Sequence, residues 1–168
     1  MNSEKKKITF TTIGLIRTPY KSSFCPYQPV EREEGEARVI LFPEYQAGLE
    51  DLKSFKYIYV LYYCHLCSGE PSLKIHPPWA KGQEVGLFAS RAPERPNPIG
   101  LSVVELKRIE NFQLITNLID VWDETPLLDV KPYIKELDQK HDANYGWLEE
   151  VDGYHHLIEH IRGIPHKH

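Results

Sequence analysis

Six runs rich in β-branched and aromatic residues, with one stretch of helical spacing among them, limit the folds open to this chain. They read "ITFTTIGLI" (8–16), "ARVILF" (37–42), "YIYVLYYCHL" (57–66), "EVGLFAS" (84–90), "LSVVELKRI" (101–109) and "FQLITNLID" (112–120). Pro43 opens the helical stretch, where a first turn tolerates proline, and Tyr45, Leu49 and Leu52 follow at helical spacing. Strands not separated by helices lack the βαβ rhythm of a doubly wound sheet. The expectation is a mainly β, single antiparallel β-barrel-like domain with few short helices, not a Rossmann fold. Residues 57–66 are apolar on both alternating faces, which predicts a central strand covered on both sides. Residues 1–135 carry the barrel, and 136–168 form a C-terminal extension of the same domain with "YHHLIEHIR" as a short helix.

The 168 residues suit one domain, and no apolar run approaches the roughly 20 residues of a membrane helix. Three cysteines cannot all pair, so a reduced, cytoplasmic setting is expected, without disulfides. A formal charge of −4 gives no global reason for a polyanion partner. Any such contact must be local, and Lys5 to Lys7, Arg91 with Arg95, Lys107 with Arg108, and Lys131 with Lys135 are the clusters that offer one.

The stretch "SRAPERPNPIGLS" (90–102) holds three prolines within six residues, Pro93, Pro96 and Pro98. Each fixes its own φ and pushes the preceding residue toward extended geometry, so the loop has little freedom left to lose on binding. Ordering a residue costs about 1–2 kcal/mol, a cost avoided at the binding step when the loop is stiff beforehand. Arg91 and Arg95 offer fork-shaped donors for a carboxylate or phosphate, the Asn97 amide suits a base edge, and Gly100 permits positive φ or close approach of a ligand. The competing reading is a rigid connection whose arginines pair with Glu94 and other local acids.

"SRAPERPNPIGLSVVEL" resembles the signature segment of the TrmO (TsaA) family, [ST]-R-[SA]-x-x-R-P-N-P-I-G-[LM]-S. "IGLIRTPYK", "CPYQPV", "FPEYQAGLEDLKSFKYIYVLYYCH", "GLFAS" and "DVWDETPLLDVKPY" match in the family's order, from about residue 8 to 135. The resemblance implies an S-adenosylmethionine-dependent methyltransferase on a β-barrel, working as a homodimer on threonylcarbamoyl-adenosine beside the tRNA anticodon. No G-x-G-x-x-G occurs, which independently leaves a Rossmann-type nucleotide site unsupported. Carried over position by position, the cofactor would be lined by Gln28, Pro29 and Val30, His65 and Leu66, Arg91, Leu101, and Thr125, Pro126, Leu127 and Leu128. Asp123, Asp129, Lys131 and Tyr133 offer a base or polarising group, with Asp129 the choice for a base; Asp123 and Thr125 are equally good turn-capping residues. Where the family has D-G-T-P, this chain has Asp123, Glu124, Thr125 and Pro126, replacing glycine by a residue that disfavours positive φ, so a local difference in the turn is expected.

Alternatives are a methyltransferase of another acceptor and a non-catalytic module that keeps the cofactor pocket. No metal is expected: "CHLC" (64–67) lacks a second ligand pair beyond Cys25, and His156 and His160 stand without an H-E-x-x-H pattern. A nucleophile hydrolase has no G-x-S-x-G to support it.

Overall fold

The computed structural model describes residues 6–21, 25, 35–67, 69–77, 80 and 82–151 of the chain. Among these residues eight strands form: β1 (Gly14–Arg17), β2 (Ala37–Leu41), β3 (Tyr57–Tyr63), β4 (Lys74–Ile75), β5 (Val85–Gly86), β6 (Ile99–Glu110), β7 (Gln113–Thr116) and β8 (Thr125–Pro132). Six of them close an antiparallel barrel in the order β1-β2-β7-β6-β3-β8, and β4 and β5 make a separate two-stranded ribbon. The expected mainly β, non-Rossmann architecture is therefore observed. Inside the barrel Ile16, Val39, Ile58, Val60, Leu114 and Leu127 are fully buried, and Tyr62, Val104, Leu106 and Ile119 complete the packing. Closure removes sheet edges, so these short strands leave few backbone groups unpaired.

Several boundaries differ from expectation, each for a local reason. The first strand begins only at Gly14, and Ile8 and Phe10 are exposed; a β-branched run has no partner there to pair with. Gly14 itself is required, because a Cβ would overlap the Ile40 carbonyl of the neighbouring strand. Of "EVGLFAS" only Val85 and Gly86 are in a strand; Leu87–Ala89 turns into a 3-10 helix. The expected helix after Pro43 is two 3-10 segments, Pro43–Leu49 and Leu52–Ser54, which bury Leu49 and Leu52 against one end of the barrel. Strand β8 is missing from the sequence reading, since Pro126, Asp129, Lys131 and Pro132 mask its alternation. The prolines sit near its two ends, where strands tolerate them. A single-turn helix α1 (Lys135–Asp138) follows, with the Asp138 carboxylate accepting the Ile134 N–H at 2.7 Å. The helix expected at "YHHLIEHIR" lies outside the described residues.

The register gives the barrel two unlike rims. At one rim the chain leaves β1, β3 and β7 and begins β2, β6 and β8, as the pairs Arg17↔Arg38, Ile16↔Thr125, Tyr63↔Ile99 and Ala37↔Thr116 require. Residues 64–98, with the proline-rich loop, and 117–124 thus converge there. The other rim carries the 3-10 helices and the tight β6–β7 hairpin, in which Asn111 and Phe112 both take positive φ, as a type I′ turn requires. Coverage of β3 is one-sided: Ile58, Val60 and Tyr62 face the core, whereas Tyr57 and Tyr63 are exposed on the outer face. The aromatic run reads as doubly covered because tyrosine suits both environments.

Candidate functional site

The proline-rich loop is held from within. The Arg95 Nη1 donates to the carbonyls of Leu87, Ser90 and Ala92 at 3.4, 3.0 and 3.3 Å, and its guanidinium lies 5.6 Å from the Phe88 ring centroid. Arg95 is therefore an internal brace, contrary to the expectation that it offers a free fork. The Ser90 hydroxyl donates to the Leu87 carbonyl at 2.7 Å, and the Cys64 N–H donates to the Pro98 carbonyl at 2.8 Å, tying the loop to the end of β3. From the C-terminal side the Trp147 indole N–H donates to the Ala89 carbonyl at 2.8 Å. Gly100 takes no positive φ; it is small because the Tyr62 ring, directly across the β3–β6 pair, occupies the volume of a Cβ.

Arg91 stays exposed on this braced loop, and among the described residues no acid is bonded to its guanidinium. Its charge acts on Asp120, a residue the sequence reading passed over. Among the described residues the buried Asp120 Oδ1 has no hydrogen-bond partner. Burial pushes its carboxyl above the ordinary aspartate range, against the opposing pull of its own backbone N–H and of Arg91. Beside it, burial raises the Tyr62 hydroxyl, the Asp120 charge adding to the effect, while Tyr62 shares a 3.1 Å hydrogen bond with Ser102. Burial likewise pushes the Cys64 thiol up to about 11, with Cys67 contributing. The signal for Asp120 is an acid set inside the apolar run "NLIDVW", where a solvated carboxylate has no place.

Across the same rim His65 and Thr125 meet, with Nδ1 and Oγ1 3.4 Å apart. Thr125 is buried, and its hydroxyl also donates to the Trp122 carbonyl at 2.7 Å. Asp123 accepts the Thr18 N–H at 3.0 Å and the Arg17 Nε at 2.9 Å. Both residues thus hold the turn into β8, the structural role weighed for them. Glu124 adopts φ +65°, the left-handed geometry a glycine would favour, and its carboxylate takes the Arg17 Nη1 at 3.0 Å. The departure from glycine therefore leaves the turn in the left-handed region.

The remaining expected residues divide. Leu66 is exposed at the rim, and Leu101 is exposed on the outer face of β6, opposite Leu61. Pro126 pairs with Leu15; the Leu127 side chain is fully buried in the core; Leu128 is skipped by a bulge in the β3–β8 register. Bulges of this kind re-aim a strand next to binding sites. Gln28, Pro29 and Val30 lie outside the described residues. Asp129 is not brought to the rim: it lies four residues along β8 from Thr125, about 13 Å at the rise of a strand. There it pairs with Lys131 at 2.7 Å and borders a cavity of about 390 Å³ at the opposite rim, with Tyr45, Leu49, Phe55 and Pro132. Among the described residues no group of His, Cys, Asp and Glu is arranged to hold a metal, and no helix is long and apolar enough to cross a membrane.

A six-stranded antiparallel barrel that gathers a braced, proline-rich loop, an exposed arginine and a buried carboxylate at one rim defines a β-barrel binding domain distinct from Rossmann nucleotide folds. Residues 15–139 match the tRNA-methyltransferase O N-terminal domain. The chain belongs to that family. It is 38% identical over 144 residues to a probable S-adenosyl-L-methionine-binding protein of Pyrococcus abyssi, covering 85% of this chain and 77% of that one. Identity to the tRNA (adenine(37)-N6)-methyltransferase of Escherichia coli is 34% over 151 residues, 84% of this chain and 64% of that protein. The crystal structure of TrmO from Pseudomonas aeruginosa superposes with a TM-score of 0.68 at 32% identity, covering 84% of this chain and 62% of that one. The chain thus spans about two thirds of the bacterial proteins it matches.

Proposed function

We propose that the protein is an S-adenosylmethionine-dependent methyltransferase that methylates the N6 nitrogen of threonylcarbamoyl-adenosine next to the tRNA anticodon. The observation that carries this reading is the rim itself, where Arg91, Asp120 and the His65–Thr125 pair come from three separate segments to one end of the barrel. A donor with a carboxylate, an ammonium and ribose hydroxyls fits that set. The Arg91 guanidinium suits the carboxylate, and the otherwise unpartnered Asp120 oxygen suits a hydroxyl or ammonium donor. Gln28, Pro29, Val30, Leu66, Leu101 and the main chain of Thr125 to Leu128 complete the cradle in this reading.

When bound, the donor supplies a methyl on a sulfonium, open to in-line attack by a nitrogen. The chain's part is positioning: the braced loop is rigid before the ligand arrives, and proximity supplies much of the rate. The acceptor nitrogen bears a carbamoyl group and sheds a proton on methylation. Asp129 is the base foreseen from sequence, and Asp120 stands nearer the loop. Loss of turnover with donor binding retained, in Asp129→Asn or in Asp120→Asn, assigns the role to that residue.

The outer face of β3 and β6 supports a homodimer. Tyr59, Leu61, Leu101 and Val103 are neighbours there, and Leu101 and Val103 remain 55% and 48% exposed. Apolar surface of that kind, adjacent to a carried-over cofactor position, suits burial against a second copy. A tRNA substrate places the protein in the cytoplasm.

The test is mass analysis of nucleosides from tRNA incubated with the protein and S-adenosylmethionine. A new methylated threonylcarbamoyl-adenosine is expected, together with a thermal shift of the protein by the donor. A donor-induced shift with no methylated nucleoside would favour the binding-module reading, and a methylated product elsewhere would favour another acceptor. Arg91→Ala should abolish the shift and leave the unliganded melting temperature nearly unchanged.

A further inference from the structure

Of the four clusters of positive charge in the sequence, the structure engages Lys107 with Arg108 and one member each of two others. Lys107 and Arg108 are engaged by Glu36, at 3.7 and 2.6 Å, and Arg108 also by Glu110 at 2.6 Å. Arg108 accordingly holds the Glu36 carboxyl below its usual range. Lys131 is paired with Asp129, and Arg95 is folded onto loop carbonyls. A different set of cations remains. On the outer face of the barrel an open groove of about 390 Å³ is lined by three cations, Arg17, Lys21 and Arg38, by two acids, Glu36 and Asp123, and by Thr18, Ile40 and Gln113.

Arg17 and Arg38 lie directly opposite one another in the β1–β2 pair. Like charges so placed destabilise a sheet unless an anion is close. Arg17 has its anions, Asp123 and Glu124. Among the described residues Arg38 and Lys21 have none: Glu36, the acid on the same face as Arg38, is held by Arg108 and Lys107. The groove thus presents two uncommitted cations next to a third that is fixed in direction. Gln113 adds a neutral donor and acceptor, and Ile40 an apolar floor. This groove adjoins the turn Asp123–Thr125, which leads into the rim described above.

We propose that this groove binds the phosphodiester backbone of the RNA substrate, with Arg38 and Lys21 on phosphates and Gln113 within reach of a ribose 2′-hydroxyl. The inference rests on the tRNA reading given under Proposed function. The open groove, which sets cations beside an amide and an apolar side chain, suits a polynucleotide backbone better than a single phosphate. It also explains how a chain of net charge −4 holds a polyanion: the contact is local and lies beside the reacting end.

The experiment measures binding of tRNA to the full chain by filter retention across a series of salt concentrations. The proteins compared are wild type, Arg38→Ala, the double variant Arg38→Glu with Lys21→Glu, and Lys53→Glu. Lys53 is exposed at the opposite rim, and its reversal, a change of −2 against −4 in the double variant, controls for altered charge away from the groove. Removing the Arg38 contact should reduce the salt slope by about 1. The double variant should bind tRNA at least tenfold more weakly, while Lys53→Glu stays within about twofold of wild type and all variants keep the donor-induced thermal shift. Equal binding by the double variant and Lys53→Glu would overturn the groove alone and leave the methyltransferase reading standing. Absence of tRNA binding by wild type would overturn both.

Discussion

Asp123 should be worth more to this fold than an ion pair at a loop is usually worth, and the reason is the backbone group it satisfies. Its side chain is 9% exposed, and one carboxylate oxygen accepts both the Thr18 N–H, at 3.0 Å, and the Arg17 Nε, at 2.9 Å. Truncation in Asp123→Ala orphans a partly buried N–H, at a cost of about 1–3 kcal/mol. The pair with Arg17, whose side chain is 41% exposed, is screened and adds about 0.5 kcal/mol. A loss of about 2–3 kcal/mol is expected, or about 4–12 °C in melting temperature for a domain of this size. Arg17→Ala removes only the screened pairs and should cost less than about 1 kcal/mol. Asp123→Asn keeps an oxygen for Thr18 and should fall between them. Urea denaturation of the three variants and of the Arg17→Ala/Asp123→Ala double variant checks this. Equal losses for Asp123→Ala and Arg17→Ala would refute the reasoning, since the main-chain bond would then contribute nothing of its own.

Gly100→Ala should cost about 2 kcal/mol, because the new Cβ displaces the Tyr62 ring and its bond to Ser102; in a Tyr62→Ala background the same change should be nearly neutral, read by urea denaturation. Glu124→Gly should be more stable than Glu124→Ala by about 1 kcal/mol: both lose the pair with Arg17, but only alanine keeps a side chain at φ +65°. Cys64 should resist iodoacetamide at neutral pH and label with a midpoint near pH 11, as followed by peptide mass analysis; rapid labelling at pH 7 would contradict the burial that raises it.

How much of this was legible in the residues depends on whether the signal is local. The barrel could be anticipated because β-branched runs without intervening helices leave few alternatives. The stiffness of residues 90–102 could be read because proline acts on its own backbone and that of its neighbour. Strand β8 was hidden, since its pattern is set by two prolines and a bulge whose meaning depends on β3. The role of Arg95 was hidden likewise: nothing in "PERP" says that the guanidinium turns back onto Leu87, Ser90 and Ala92 and does not reach outward. Gly100 was marked as special for the wrong reason, because its neighbour Tyr62 lies 38 residues away in sequence and is brought alongside only by the β3–β6 register. The free cations escaped notice for the same cause. Arg17 and Arg38 are not a cluster along the chain; pairing of β1 with β2 makes them one.

Asp120 joins these threads, for a half-buried carboxyl with one buried, unsatisfied oxygen is a cost that packing alone gives no reason to keep. Its folded-state pKa is raised above the ordinary aspartate value near 3.9, so the folded protein holds that proton more tightly than the unfolded chain. The contribution to stability is then fully present below about pH 3.9 and is lost as pH rises through the folded-state value. Asp120→Asn, which removes the titration at nearly constant shape, should therefore raise the melting temperature at pH 7 relative to wild type, with the gain shrinking toward pH 3.5. A gain of the same size at both pH values would mean that the carboxyl is not the titrating group, and a loss at pH 7 would mean that its charge is already satisfied in the free protein. If the gain appears and donor binding falls with it, the strain at this rim is relieved by the ligand, which is what a site prepared in advance of its cofactor requires.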